Sequence, residues 1–207
     1  MQPIQAILFE PIGCLAEFPS GPFHEIAALL SGAVKKKPSP SGSRGYWHLL
    51  NLMEATGLPG RGSLELAAVR AASLYEDAVP ALAELKQMGV PLRIASSLGH
   101  AALTRFVDDH KLGPFFDEVW SRDNAGGIKS IPIRQAAAGL SGAIFLTDTL
   151  AGLQSAQAAG VNAILMMNNP DEARRLAGYG PAGGIVSLHE LPDFVRLLVS
   201  RGKRAVV

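Results

Sequence analysis

The chain of 207 residues has little cysteine, few aromatic residues and little charge. Its single cysteine, Cys14, excludes an intramolecular disulfide and is compatible with a reducing compartment. Charged residues make up 18% of the chain, below the ~25% that is typical of soluble domains. Because little of the surface is then heavily solvated, the composition favours a homo-oligomer.

The chain also lacks an excess of either charge and any long apolar run. Its 19 basic and 18 acidic residues give a net charge of +1, so it lacks the excess of positive charge that would attract nucleic acid or an anionic membrane. The basic cluster that begins at Lys35 precedes residues rich in Pro, Ser and Gly, which predicts a solvated loop at residues 35–45. No apolar run of ~18 residues and no leader-like start occurs. We therefore expect no nucleic acid, no membrane and a cytoplasmic location.

Short apolar runs that end in turn residues predict β-strands. They lie at residues 4–9, 91–95, 119–121, 143–146 and 162–166. Helical periodicity separates them, as where Val79, Leu82 and Leu85 fall three residues apart on one helical face. The alternation predicts an α/β fold of three α/β/α layers, with a Rossmann-like parallel sheet covered by helices on both faces.

Residues 16–76 break this alternation. Three helical stretches, punctuated by Gly and Pro, are predicted around residues 23–34, 46–56 and 63–74. The sequence thus predicts two parts, a core of residues 1–15 and 77–207 and a small all-helical insert of residues 16–76.

Four polar segments follow or adjoin the predicted strands. Ligands of open parallel sheets bind beyond the carboxyl ends of the strands, where helix N-termini favour anions. We therefore expect the four segments to meet in one anion site. Taken singly, each has a structural interpretation as a turn, a surface lysine or a helix cap. The segments are Phe9-Glu10-Pro11-Ile12-Gly13-Cys14-Leu15, Ser96-Ser97, Lys129-Ser130-Ile131-Pro132 and Thr147-Asp148-Thr149-Leu150-Ala151-Gly152.

The ordered set of segments, with the helical insert, resembles the haloacid dehalogenase (HAD)-like hydrolase superfamily of phosphatase type. The resemblance covers nearly the whole chain and is least specific in the insert. It implies that residues 16–76 form a cap over the site and that the ligand is phosphate or a small phosphorylated metabolite. Tyr46, Trp47 and His48 then either pack the core of the cap or line a specificity pocket.

Two positions after the first strand depart from the pattern of the superfamily. Its first strand ends in an aspartate that attacks phosphorus, and a second aspartate two residues later donates and accepts protons. Glu10 and Ile12 stand at these positions. The extra methylene of Glu10 moves its oxygens by roughly 1 Å, which can cost ~10²-fold in rate. Ile12 cannot exchange protons, a contribution typically worth ~10² to 10⁴.

The polar positions of the other segments are better kept. By resemblance, the hydroxyl of Ser96 binds phosphate and Ser97 stands where asparagine is frequent. The ammonium of Lys129 would neutralise both the phosphate and the attacking carboxylate, so Lys129 is a catalytic as well as a binding residue.

The resemblance also implies a weakened magnesium site. Asp148 matches the first acid of the metal-binding segment, while Gly152 replaces the second. A magnesium ion would then draw on Glu10, the carbonyl of Ile12, Asp148 and water.

Three hypotheses follow. The leading one is a HAD-like protein with an inactive or only residually active phosphatase-type site, retained for binding. The alternative is an active magnesium-dependent phosphohydrolase that uses Glu10, Lys129 and Asp148. The third is a subunit whose helical insert mainly forms an interface.

Overall fold

The computed structural model describes residues 4–18, 46, 61–167 and 170–204. In chain order the strands are β1 Ala6–Phe9, β2 Ala16–Glu17, β3 Ser73–Leu74, β4 Leu92–Ala95, β5 Glu118–Trp120, β6 Ala143–Thr147, β7 Asn162–Met166 and β8 Gly183–Ile185. The helices are α1 Arg61–Arg70, α2 Ala78–Gln87, α3 His100–Asp109, α4 Arg122–Ala125, α5 Ser130–Ala136, α6 Leu150–Ala159, α7 Pro170–Ala177 and α8 Glu190–Arg204.

Six strands form one parallel sheet in the order β5-β4-β1-β6-β7-β8. Phe9, the last residue of β1, lies opposite Ile94 of β4 on one side and Leu146 of β6 on the other. From β1 the chain builds outward through β4 and β5 on one side, and then through β6, β7 and β8 on the other. Such a reversal of strand order opens a crevice at the carboxyl ends of the strands, where ligands bind in open α/β sheets.

An apolar core lies on each face of the sheet. Because successive side chains of a strand point to opposite faces, β1 buries Ile7 and Phe9 in one core and Ala6 and Leu8 in the other. Helices α2, α3 and α8 cover the first face, and α5, α6 and α7 cover the second. The structure thus confirms the predicted three-layer α/β/α architecture.

The five predicted core strands form within two residues of their expected bounds, and 162–166 matches β7 without change. The sequence did not predict β8, because two of its three residues are glycines that give no apolar pattern. Among the described residues, no helix is long and apolar enough to cross a membrane.

The two ends of the insert pair with each other. Ala16 of β2 lies opposite Leu74 of β3 in a two-stranded antiparallel ribbon. The helix predicted at residues 63–74 was therefore wrong at its end, because α1 stops at Arg70 and the chain turns into β3. Tyr46 is helical, while the predicted helix at 23–34, the rest of 46–56 and the loop at 35–45 lie outside the described residues. The division into a core and a cap of residues 16–76 stays a prediction.

Candidate functional site

The carboxyl ends of the three central strands bring Glu10, Ser96 and Asp148 together. Ser96 follows β4, and its Oγ donates a hydrogen bond to Glu10 Oε1, just after β1, at 2.8 Å. Asp148 follows β6 and lies close enough for its charge to act on Glu10. All three side chains are buried. Residues far apart in sequence thus share one buried polar site at the crevice of the sheet.

Burial changes the acidity of Glu10. The pKa of this carboxyl is raised to about 8, mainly by burial and in smaller part by the negative charge of Asp148. Hydrogen bonds from the Ser96 hydroxyl and the Ile12 backbone amide act in the opposite direction and favour the carboxylate. At neutral pH the Glu10 carboxyl therefore holds its proton for most of the time.

The loop after β1 approaches Asp148 through Gly13. The backbone of Gly13 has a φ of 88°, in the left-handed region that favours glycine. A Cβ placed on this residue would lie 2.3 Å from Cγ of Asp148. Only glycine therefore lets the loop pack against the Asp148 carboxyl group.

Ile12 has an apolar side chain that cannot transfer protons. Its side chain is 1% exposed and belongs to the apolar core that also contains Leu15, Phe18 and Tyr46. Cys14 is buried in the same core, and burial raises the pKa of its thiol well above the usual value. Neither side chain offers an exchangeable proton near neutral pH.

Gly152 packs against the end of β6. A Cβ at this position would lie 1.8 Å from Oγ1 of Thr147. The Gly152 amide also donates to Oγ1 of Thr149, the N-cap of α6, at 3.1 Å. A side chain at this position would therefore require Thr147 to shift.

The backbone of Lys129 joins α5 to the loop after β4. Its N–H donates to Oγ of Ser97 at 2.8 Å, and its φ of 61° with ψ of −111° is rare for a residue with a side chain. Such conformations cost of order 1–3 kcal/mol and persist where their surroundings fix them. The hydrogen bond to Ser97 is one such restraint.

The sequence did not predict that Glu65, Gly99 and Arg122 lie beside the site. The carboxylate of Glu65, in α1, accepts hydrogen bonds from the hydroxyl of Tyr46 at 2.9 Å and from the amide of Gly99 at 3.0 Å. It also forms an ion pair with Arg122. The only sequence signal was a lone acid among the apolar residues of α1.

Tyr46 packs on the core as well as bonding to Glu65. Its ring meets that of Phe18 edge to face, with the ring centres 5.7 Å apart. Burial, followed by the charges of Glu65 and Glu10, raises the pKa of its hydroxyl. Tyr46 thus has a packing role and also lies near the buried site.

Magnesium fits the site only through a small set of oxygen ligands. The described part of the chain holds no group of three His, Cys, Asp or Glu side chains that could bind a metal. Glu10, Asp148 and the Ile12 carbonyl are hard oxygen donors, and magnesium is commonly held by one or two carboxylates with water and phosphate. Glu10 would have to give up its proton to take part.

A model of the haloacid dehalogenase-like hydrolase family matches residues 64–166, from α1 to the end of β7. The chain belongs to the HAD-like hydrolase superfamily. The match includes the segments that carry Ser96, Lys129 and Asp148 but begins after Glu10. A search of curated proteins finds no significant match.

Solved structures of HAD-like proteins share the whole fold. A HAD-like family hydrolase from Streptococcus pneumoniae is 20% identical with a TM-score of 0.70, over 92% of this chain and 98% of that one. A predicted phosphatase from Clostridium acetobutylicum is 16% identical with a TM-score of 0.68, over 95% and 100%. A HAD-hydrolase structure from Bacillus subtilis bound to magnesium is 15% identical with a TM-score of 0.61, over 94% and 100%.

Replacing Gly152 tests whether this position is closed. We expect Gly152→Ala to lower the free energy of unfolding by about 1–3 kcal/mol, because the new methyl group overlaps Thr147. Gly62→Ala, in α1 where nothing lies within 4 Å of the added Cβ, should instead stabilise by up to about 1 kcal/mol through helix propensity. Urea denaturation measures both. Equal effects of the two substitutions would contradict the closed position.

Glu10 should make stability depend on pH. The unfolded carboxyl ionises near 4.5 and the folded one near 8, so the folded state keeps a proton that the unfolded state loses. The free energy of unfolding of the wild type should therefore fall as pH rises from about 4.5 to 8, by at most about 1.4 kcal/mol per pH unit from this group.

Glu10→Gln should remove this part of the slope, since glutamine does not titrate. Glu84→Gln, on the surface at Arg196, is the matched control and should keep it. Urea denaturation from pH 4.5 to pH 8 compares the three proteins. A Glu10→Gln slope equal to that of the wild type would show that Glu10 ionises normally in the folded state.

Proposed function

We propose that this HAD-like protein binds phosphate or a small phosphorylated metabolite and turns it over slowly or not at all. The observation that carries the proposal is the burial of Ile12 in the apolar core at the position of the superfamily's proton carrier. Without a group that donates and accepts protons there, the leaving group and the attacking water lose help that is typically worth ~10² to 10⁴ in rate.

The protonation and the side-chain length of Glu10 support the same conclusion. Attack on phosphorus to form an acyl phosphate requires an ionised carboxylate. With a pKa of about 8, Glu10 is mostly protonated at neutral pH, and its Oε1 already accepts the hydrogen bond from Ser96. Its side chain is also one methylene longer than the aspartate of the superfamily. Each feature makes Glu10 a poor nucleophile.

Two serine hydroxyls and the Lys129 ammonium are the candidate groups for an anion. The hydroxyl of Ser96 donates to Glu10 and accepts from the amide of Leu98. The hydroxyl of Ser97 accepts from the Lys129 amide, which leaves its own proton for a ligand oxygen. Ser97 and the ammonium of Lys129 are therefore the groups that we assign to phosphate, with Ser96 adding a hydrogen bond once it is released from Glu10.

A magnesium ion, when bound, would offset the charge of the phosphate and orient it. Glu10, Asp148 and the Ile12 carbonyl are the groups that would hold it. The small number of carboxylates and the proton on Glu10 favour weak binding. We therefore expect phosphate binding to strengthen with magnesium in the millimolar range and at a pH above that at which Glu10 ionises.

One observation favours the alternative of an active magnesium-dependent phosphohydrolase. Glu10 follows β1 beside Asp148, at the position that by resemblance carries the nucleophile, and the Lys129 amide bonds to Ser97 in the loop after β4. In that case Glu10 attacks after losing its proton, and Lys129 and Asp148 support the reaction. The third hypothesis, an interface formed by the insert, concerns residues that lie largely outside the described part of the chain.

Phosphate binding and turnover test the proposal together. We expect the wild type to bind inorganic phosphate in a ³¹P NMR titration, and Lys129→Ala to weaken this binding at least about tenfold, because a charge-assisted contact is lost. Lys86→Ala, which removes an exposed lysine paired with Asp117, is the control and should bind normally. Hydrolysis of para-nitrophenyl phosphate with magnesium should stay far below ~10 per second, a common enzymatic rate.

The variants also separate the two hypotheses. Turnover at an ordinary enzymatic rate that both Lys129→Ala and Glu10→Gln abolish would establish the active enzyme and refute our proposal. Absence of phosphate binding at millimolar concentration, with or without magnesium, would refute both.

A further inference from the structure

A buried ion pair ties helix α1 to the loop that follows β4. We call Glu65 with its three donors, Tyr46, Gly99 and Arg122, the Glu65 clamp. Glu65 is 1% exposed and lies in α1, within the predicted insert, while Gly99 follows β4 and Arg122 follows β5. Helix α1 packs along α3, so the clamp lies inside a contact between two parts of the chain that are more than 30 residues apart.

Arg122 connects the clamp to the candidate anion groups. The same Nη1 atom that bonds to Glu65 donates to the carbonyl oxygen of Ser97 at 3.2 Å. The hydroxyl of Ser97 in turn accepts from the Lys129 amide. A continuous path of polar contacts therefore runs from Glu65 through Arg122 and Ser97 to the backbone of Lys129.

Close packing holds Arg122 in this position. A Cβ on Gly99 would lie 2.6 Å from Nη2 of Arg122 and 3.1 Å from Oε2 of Glu65, so the guanidinium and the carboxylate fill the space beside the glycine. Arg122 begins α4 directly after Ser121, which caps that helix in a reciprocal capping box with Asn124. The backbone of Arg122 is therefore fixed as well as its side chain.

The amides at the start of α3 already donate hydrogen bonds to side chains of the protein. The Leu98 amide donates to Ser96, the Gly99 amide to Glu65 and the His100 amide to Asp123. A helix N-terminus commonly offers such amides to an anionic ligand. These three amides are therefore engaged, which leaves the side chains of Ser97 and Lys129 as the groups that we assign to phosphate.

We propose that Glu65 and Arg122 are positioning residues that hold Ser97 and Lys129 in the arrangement that binds an anion. Phosphate affinity then depends on the docking of α1, because Glu65 supplies the charge that keeps Arg122 at the Ser97 carbonyl. This inference rests on the proposed function for its ligand, but the path of contacts on which it depends can be tested without one.

The experiment compares four proteins in two measurements. The variants are Arg122→Lys, Glu65→Gln and, as a control for a surface ion pair, Arg196→Met, whose guanidinium bonds to Glu84 and Asp193. The first measurement is the Kd for inorganic phosphate by ³¹P NMR. The second is amide hydrogen exchange at Lys129, Gly99 and Ile164, the last lying in β7.

We expect Arg122→Lys to weaken phosphate binding about tenfold and to speed exchange of the Lys129 amide about tenfold, since lysine cannot hold Glu65 and the Ser97 carbonyl in the same fork. Glu65→Gln should act in the same direction through loss of the charge that holds Arg122. Exchange at Ile164 and the behaviour of Arg196→Met should match the wild type.

Equal acceleration at Ile164 and Lys129 would mean that the clamp only stabilises the fold, and would overturn the proposal. So would wild-type affinity and exchange in both Arg122→Lys and Glu65→Gln. Should the wild type bind no phosphate, the proposed function fails on its own. Selective acceleration at Lys129 in Arg122→Lys would then still support the positioning role, and its absence would overturn it.

Discussion

The burial of the Glu10 carboxyl beside Asp148 is the constraint on which the rest of the site depends. A buried acid next to another acid keeps its proton at neutral pH unless something compensates for its charge. The proton makes Glu10 a hydrogen-bonding group that accepts from Ser96 rather than an anion ready to attack. Ile12, two residues later, is buried in the apolar core and offers no group that could exchange a proton.

The strand order of the sheet brings these groups together. Strand β1 lies at the centre of a parallel sheet, so the residues that follow β1, β4 and β6 meet at the same edge. Glycines then set how closely the loops approach. Gly13 allows the loop after β1 to touch Asp148, and Gly152 lets α6 pack on Thr147 where a second acid would otherwise stand. The fold is thus HAD-like, and we propose that its side chains favour binding over turnover.

Much of this arrangement could be predicted from sequence because its signals are local. Apolar runs of three to six residues marked the core strands, and the polar residues after them marked the site. The Glu65 clamp could not be predicted in this way, since Glu65 and Arg122 are 57 residues apart and neither belongs to a motif. The end of α1 was missed for a similar reason, because β3 exists only through its pairing with β2.

We infer that Ser97 and Lys129 hold a phosphate group beside Glu10 without its transfer to that residue. A crystal structure of the protein soaked with magnesium and para-nitrophenyl phosphate would test this inference. We expect an intact ester bound by Ser97 and Lys129, with an unmodified carboxyl group at Glu10. Phosphorus bonded covalently to an oxygen of Glu10 would contradict it.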